Sequence, residues 1–135
     1  MRRYVIALAV VVAALVTETA SAQASAVGKY KTSVELSKAF LASIRTIPNT
    51  RFTLKSSDKD QGTIQAVRVL RSQEMGSLFI LVTQEDDHVL IEATFTRNSG
   101  FFGGGSPADW ARDYAEKLKA LLPDINVEVV EPGKD

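Results

Sequence analysis

His88 is the single histidine of the chain, and it directly follows Glu85, Asp86 and Asp87. An imidazole beside carboxylates is the raw material of an acid–base pair or of a metal site. The local pattern argues against both, because Gln84 to Asp87 reads as a polar turn between two apolar runs, where such side chains are solvated and tolerate turn geometry. Glu92 falls on the same strand face as His88, yet there is no second histidine and no cysteine to complete a metal shell. Nucleophilic catalysis lacks a cysteine and a G-x-S-x-G elbow, with His88 as the one available base. A glycosidase-like carboxylate pair among Asp58, Asp60, Asp86, Asp87 and Glu92 would lie mostly in turns, where nothing raises the pKa of an acid. The residues thus point to a protein that is not an enzyme and holds no cofactor or metal, with a hydrolase built on His88 and a nearby carboxylate as the third reading.

The second suggestive run is Phe101-Phe102-Gly103-Gly104-Gly105-Ser106. Glycines before a helix invite a phosphate cradle, because free N–H groups and the helix dipole attract anions. The lysine of a P-loop is missing, however, and Asp109 already occupies the positive end of the helix. Two adjacent aromatics in a glycine-rich connection either fold onto the core or stand exposed to a partner. Phe101, Phe102, Gly103, Gly104 and Gly105 are therefore the candidate partner-binding residues. Phe40, Phe52, Phe79, Phe95, Trp110 and Tyr114 suggest an alternative, a carrier with a small apolar ligand between helices and sheet, although a plain core accounts for the same residues.

These groups need elements to position them. Thr32 and Glu35 have capping-box spacing, and Leu36, Phe40, Ile44 and Ile47 recur at helical intervals until Pro48. Phe52 and Leu54 alternate in a short strand, and 56–62 has turn composition. Thr63 to Arg71 continues extended, but Ile64 and Ala66 fall on one face and Val67 and Val69 on the other, which predicts a β-bulge near Ala66-Val67. Ser77 to Thr83 reads as a central strand, and Val89, Ile91, Ala93 and Phe95 give the next strand one apolar face. Ser106, Pro107 and Asp109 then open a second helix, with Trp110, Tyr114, Leu118 and Leu121 as its stripe and Pro123 as its stop. Ile125-Val127-Val129 suggests a last edge strand. The order α-β-β-β-β-α, with or without a final β, predicts an α+β fold: an antiparallel sheet of four or five strands with two helices packed on one face.

Composition sets the class. Lys+Arg and Asp+Glu are equal at 16 each, so no electrostatic case for nucleic acid arises. Residues 1–22 have the layout of a secretory signal peptide: Arg2-Arg3, the apolar run Tyr4 to Val16, and the small-residue close Ala20-Ser21-Ala22, with Ala22 as the cleavage position. The apolar run is shorter than the roughly 20 residues of a membrane-spanning helix, so the exported remainder is expected to be periplasmic or secreted with no stable membrane anchor. Residues 23–31 are small and polar and read as a flexible lead, 32–130 as a single domain, and 131–135 as a polar tail. With no cysteine for a disulfide or a lipid anchor, the domain relies on hydrophobic burial.

In order and punctuation, the first helix from Val34, Asp58-Lys59-Asp60-Gln61-Gly62-Thr63-Ile64-Gln65-Ala66, Leu78 to Phe95, and Trp110 to Leu122 together resemble small bacterial envelope domains of unknown function. More distantly they are similar to the helix-grip modules of an accessory lipoprotein of the outer-membrane barrel-assembly machine, without its acylated cysteine. The resemblance implies an envelope setting and carries over no catalytic residue. The expected function is an exported, non-enzymatic module that binds another envelope protein through the Phe101–Gly105 loop or a sheet edge.

Overall fold

A computed structural model describes residues 24–98 and 105–131. The segment 1–22 with Ala22, and Phe101, Phe102, Gly103 and Gly104, lie outside the described residues. The elements are β1 (Ala24–Thr32), α1 (Leu36–Thr46), a 3-10 turn (Ile47–Asn49), β2 (Thr53–Asp58), β3 (Thr63–Leu70), β4 (Gln73–Gln84), β5 (Val89–Arg97), α2 (Pro107–Leu121) and β6 (Asn126–Val130). They form an α+β domain with one antiparallel sheet of six strands in the order β2-β3-β4-β5-β1-β6.

The largest departure from expectation is β1. Residues 24–32 are not a flexible lead: they pair along their whole length with β5 and along Val27–Lys31 with β6. Ala26, Gly28, Tyr30 and Thr32 point into the buried side. The inward positions are mostly small because the Tyr30 ring lies over Gly28, leaving no room there for a Cβ. Small polar composition here reflects close packing.

Alternation places Ile64, Ala66, Leu78, Ile80, Val82, Val89, Ile91, Ala93 and Phe95 on the face that the helices cover. Helix α1 contributes Ala39, Phe40 and Ala42, with Ile47 just after it, and α2 contributes Trp110, Ala111, Tyr114, Ala115 and Leu118. Leu121 is exposed and Leu122 takes the inward position expected of it. At the start of α2, Asp109 N–H donates to Ser106 Oγ and Ser106 N–H to Asp109 Oδ2, both at 3.2 Å, completing a capping box with Pro107 in the first turn. Thr32 caps nothing. Helix α1 begins after Glu35, whose side chain makes no capping bond, while the Thr32 hydroxyl donates to Asp124 Oδ1.

The bulges also differ from expectation. In β3–β4 the register shifts between Arg68 and Val69, leaving Met75 unmatched, and the carbonyls beside it accept from Asn98: Met75 O from its N–H, Glu74 O from its side-chain amide. A second shift leaves Lys55 unmatched in β2. With no bulge at Ala66-Val67, simple alternation continues from Ile64 and Ala66 to Arg68. Arg68 is therefore carried onto the buried face. Phe79 goes the other way, on the open face of the sheet at 42% exposure, and takes no part in the aromatic cluster.

Candidate functional site

The β4–β5 turn holds His88 between two carboxylates. Asp87 Oδ1 lies 2.8 Å from Nδ1 and Glu85 Oε1 lies 2.6 Å from Nε2. The Asp87 hydrogen bond, helped by Glu85, raises the imidazole pKa above its ordinary value, and the same bond lowers that of Asp87. Glu92 is not among these partners; in β5 it stands opposite Lys29 and Leu81. With Nδ1 hydrogen-bonded to Asp87 and Nε2 close to Glu85 without hydrogen-bond geometry, the arrangement suits a charged imidazolium clamping a turn. Because the folded-state pKa is raised, the clamp contributes stability below the ordinary histidine value of about 6.5 and loses it as pH rises through the higher folded value. His88→Gln is thus expected to lower the thermal midpoint at pH 5.5 but to match wild type at alkaline pH, in paired melts across pH. A deficit independent of pH would refute the clamp.

The other candidate acids are occupied locally. Asp58 Oδ1 accepts from the N–H groups of Asp60 and Gln61 in the β2–β3 turn. Asp124 accepts from Ser33 N–H at 3.1 Å, Ser33 Oγ at 2.5 Å and Thr32 Oγ1 at 3.1 Å, and these bonds lower its pKa. It ties the end of β1 to the turn after α2. Among the described residues, no group of three or more His, Asp or Glu side chains is arranged to hold a metal.

The aromatic residues interlock. Trp110 meets Phe52 edge-on at 5.5 Å, Phe52 meets Phe95 at 5.8 Å, Phe95 meets Tyr114 at 6.0 Å, and Tyr114 stacks on Tyr30 at 5.7 Å. The Tyr30 hydroxyl donates to Ala111 O and the Tyr114 hydroxyl to Ser43 O, each at 2.8 Å. Burial holds both phenols well above the usual tyrosine range. They are neutral donors that tie α2 to the sheet and to α1.

At the Trp110 end this cluster opens into a cleft of about 380 Å³ lined by Thr50, Arg51, Phe52, Arg68, Phe95, Gly105, Asp109, Trp110 and Asp113. The Arg68 guanidinium carbon lies 5.0 Å from the Trp110 ring centroid, a cation–π arrangement. Gly76 makes the fit possible, since a Cβ there would come within 2.8 Å of the indole. Gly105 has φ +87° and its carbonyl accepts from Arg97 Nη1 at 3.0 Å. It is the one described residue of the predicted partner-binding loop, and it forms part of the cleft rim. Arg51 and Arg68 were not singled out by sequence reading. The signal was the period-2 continuation Ile64-Ala66-Arg68, hidden by the bulge invoked for Val67 and Val69.

The two sheet edges differ in kind. Edge strand β2 (TLKSSD) is polar and broken by the bulge at Lys55. Edge strand β6 (NVEVV) pairs in unbroken register with β1, and it has no Lys and no Pro, with Val127 46% and Val130 38% exposed.

No protein-family model matches this chain, and a search among curated proteins finds no match. The fold and its surfaces define a class: a small antiparallel α+β domain with a covered sheet face, an open sheet face, an unguarded edge, and an arginine–tryptophan cleft.

Proposed function

We propose that the chain is an exported, non-enzymatic module of the cell envelope that binds an extended segment of another envelope protein along β6. The observation that carries this reading is the contrast between the edges. Unpaired N–H and C=O groups at a sheet edge template a further strand, and natural proteins blunt edges with bulges, lysines and prolines. Among the described residues β2 carries a bulge and Lys55 whereas β6 carries neither, its one charge being Glu128, and an unbroken edge is what strand addition requires. A second copy of the chain is a poor occupant, because antiparallel self-pairing of all five β6 residues sets Glu128 opposite Glu128, and like charges directly opposite destabilise. A heterologous strand with a basic residue at that position fits better. The carrier reading needs an internal void, whereas the space beside Trp110, Phe52 and Phe95 is an open cleft. The hydrolase reading needs His88 beside an acid in a cleft, and His88 does line one with Asp87 and Asp124, so it remains the third reading. The signal-peptide layout of residues 1–22 and the resemblance to envelope domains support the setting.

The test is a photo-crosslinking residue placed at Val130 or at Leu54 in the native envelope. A discrete heterologous adduct is expected from Val130 and none from Leu54 on the guarded edge. With the crosslinker at Val130, Val127→Lys should abolish the adduct while changing stability by no more than about 0.5 kcal/mol, as for ordinary surface positions. Equal adducts from both edges, or a homodimer alone, would refute the reading.

A further inference from the structure

We propose that the arginine–tryptophan cleft is a binding site for an organic monocarboxylate with an aromatic or apolar body. Arg68 is the centre of the argument. As a residue it is 8% exposed, and among the described residues its guanidinium makes no hydrogen bond and no close ion pair; it lies over the face of Trp110 and feels the Asp113 carboxylate at longer range. The Arg68 guanidinium lines an open cleft with its donors facing that space and no acceptor among the described residues, so they are available to a ligand. The acids of the cleft give it no hydrogen bond, although Asp113 favours its charge. Asp113 Oδ1 is held by Lys117 Nζ at 2.6 Å, and Asp109 caps α2 and lies 3.5 Å from Arg112. Arg51 adds a second positive charge to the same cleft and makes no ion pair among the described residues; burial and then the repulsion of Arg51 work against the charge of Arg68, partly offset by Asp113. An anion placed between the two arginines would offset their repulsion and pair both charges.

The lining sets the ligand class. A guanidinium fork matches a planar carboxylate through two parallel N–H···O bonds. Asp109 and Asp113 in the wall disfavour a dianion such as a phosphate monoester. The rings of Phe52 and Trp110 offer an apolar wall, and about 380 Å³ suits a molecule of one ring and a short arm. A free acid and the carboxyl terminus of a peptide present the same group. The cleft lies toward β2 and β3, across the sheet from β6, so this inference stands independently of the strand-addition reading.

The experiment titrates phenylacetate and its uncharged isostere phenylacetamide into the purified full chain, read by calorimetry and by fluorescence of Trp110, the single tryptophan. Saturable binding of phenylacetate is expected, with phenylacetamide at least tenfold weaker; this comparison needs no variant. Arg68→Met keeps the stem over the indole and loses the charge, and it should weaken phenylacetate about 10- to 100-fold, the range of charge-assisted hydrogen bonds. Exposed Arg51→Ala should weaken it several-fold without changing the unfolding midpoint. Alanyl-phenylalanine with a free or an amidated terminus tests the peptide source, and loss of binding on amidation supports the site in that form. Equal affinity for acid and amide, tighter binding of phenyl phosphate, or no saturable binding of either carboxylate would overturn the proposal.

Discussion

Gly28→Val is expected to destabilise this domain severely, although local propensity predicts the reverse. Glycine in a strand interior is unfavourable and valine is among the best strand formers, so an unconstrained exchange would stabilise. Gly28 is not unconstrained. A Cβ on it would overlap the Tyr30 hydroxyl and crowd its ring, and Tyr30 has nowhere to go: it is fully buried, stacked on Tyr114, and bonded to Ala111 O. Overpacking costs about 1–3 kcal/mol, and an orphaned buried carbonyl costs about 1–3 kcal/mol more. A loss of about 3 kcal/mol is a large part of the roughly 5–15 kcal/mol that holds a domain folded. Urea denaturation should show a lower midpoint at unchanged slope. In a Tyr30→Ala background the same exchange should cost little, because the ring it strikes has gone. A valine variant as stable as wild type would show that Tyr30 is not locked in place.

Trp110→Ala should be comparably damaging, at about 3–5 kcal/mol for truncating a large buried aromatic. The indole fills the space left by Gly76, meets Phe52 edge-on and supports the Arg68 guanidinium. Removing it opens a cavity at one end of the aromatic cluster and leaves a buried cation without its ring. Trp110→Phe keeps part of the volume and a weaker cation–π face, so its loss should be clearly smaller. Far-UV circular dichroism in denaturant measures both variants, since the fluorescent probe is absent from each. A loss below about 1 kcal/mol for the alanine variant would contradict the packing described here.

Features with a local cause were legible from the residues. Ser106-Pro107-x-Asp109 marked the start of α2 because a capping box is set within four residues. Val89, Ile91, Ala93 and Phe95 marked the inward face of β5 because one face is buried and the other is not. Other features had no local signature. The β3–β4 connection is a two-residue turn at Arg71-Ser72, with φ of +54° and +66°, values that usually select Asn-Gly in such hairpins; neither residue signals it. The run SLFILVT is apolar on both faces, so composition could not say that Phe79 faces out while Leu78 and Ile80 face in.

For this protein, the sequence by itself determined the α+β class, the antiparallel hairpin of β4 and β5, the capped second helix and its stop, because each depends on periodicity or on contacts a few residues apart. Only the tertiary structure decided that residues 24–32 form an inner strand, that β3 runs without a bulge from Ile64 to Arg68 and so leaves Arg68 on the buried face, and that β6 rather than β2 is the unguarded edge. Those outcomes rest on pairings between residues far apart in the chain, such as Tyr30 with Ile91 and Val127, or on a register shift between strands. At such positions the energy belongs to the pair, and neither partner alone carries a pattern that declares it.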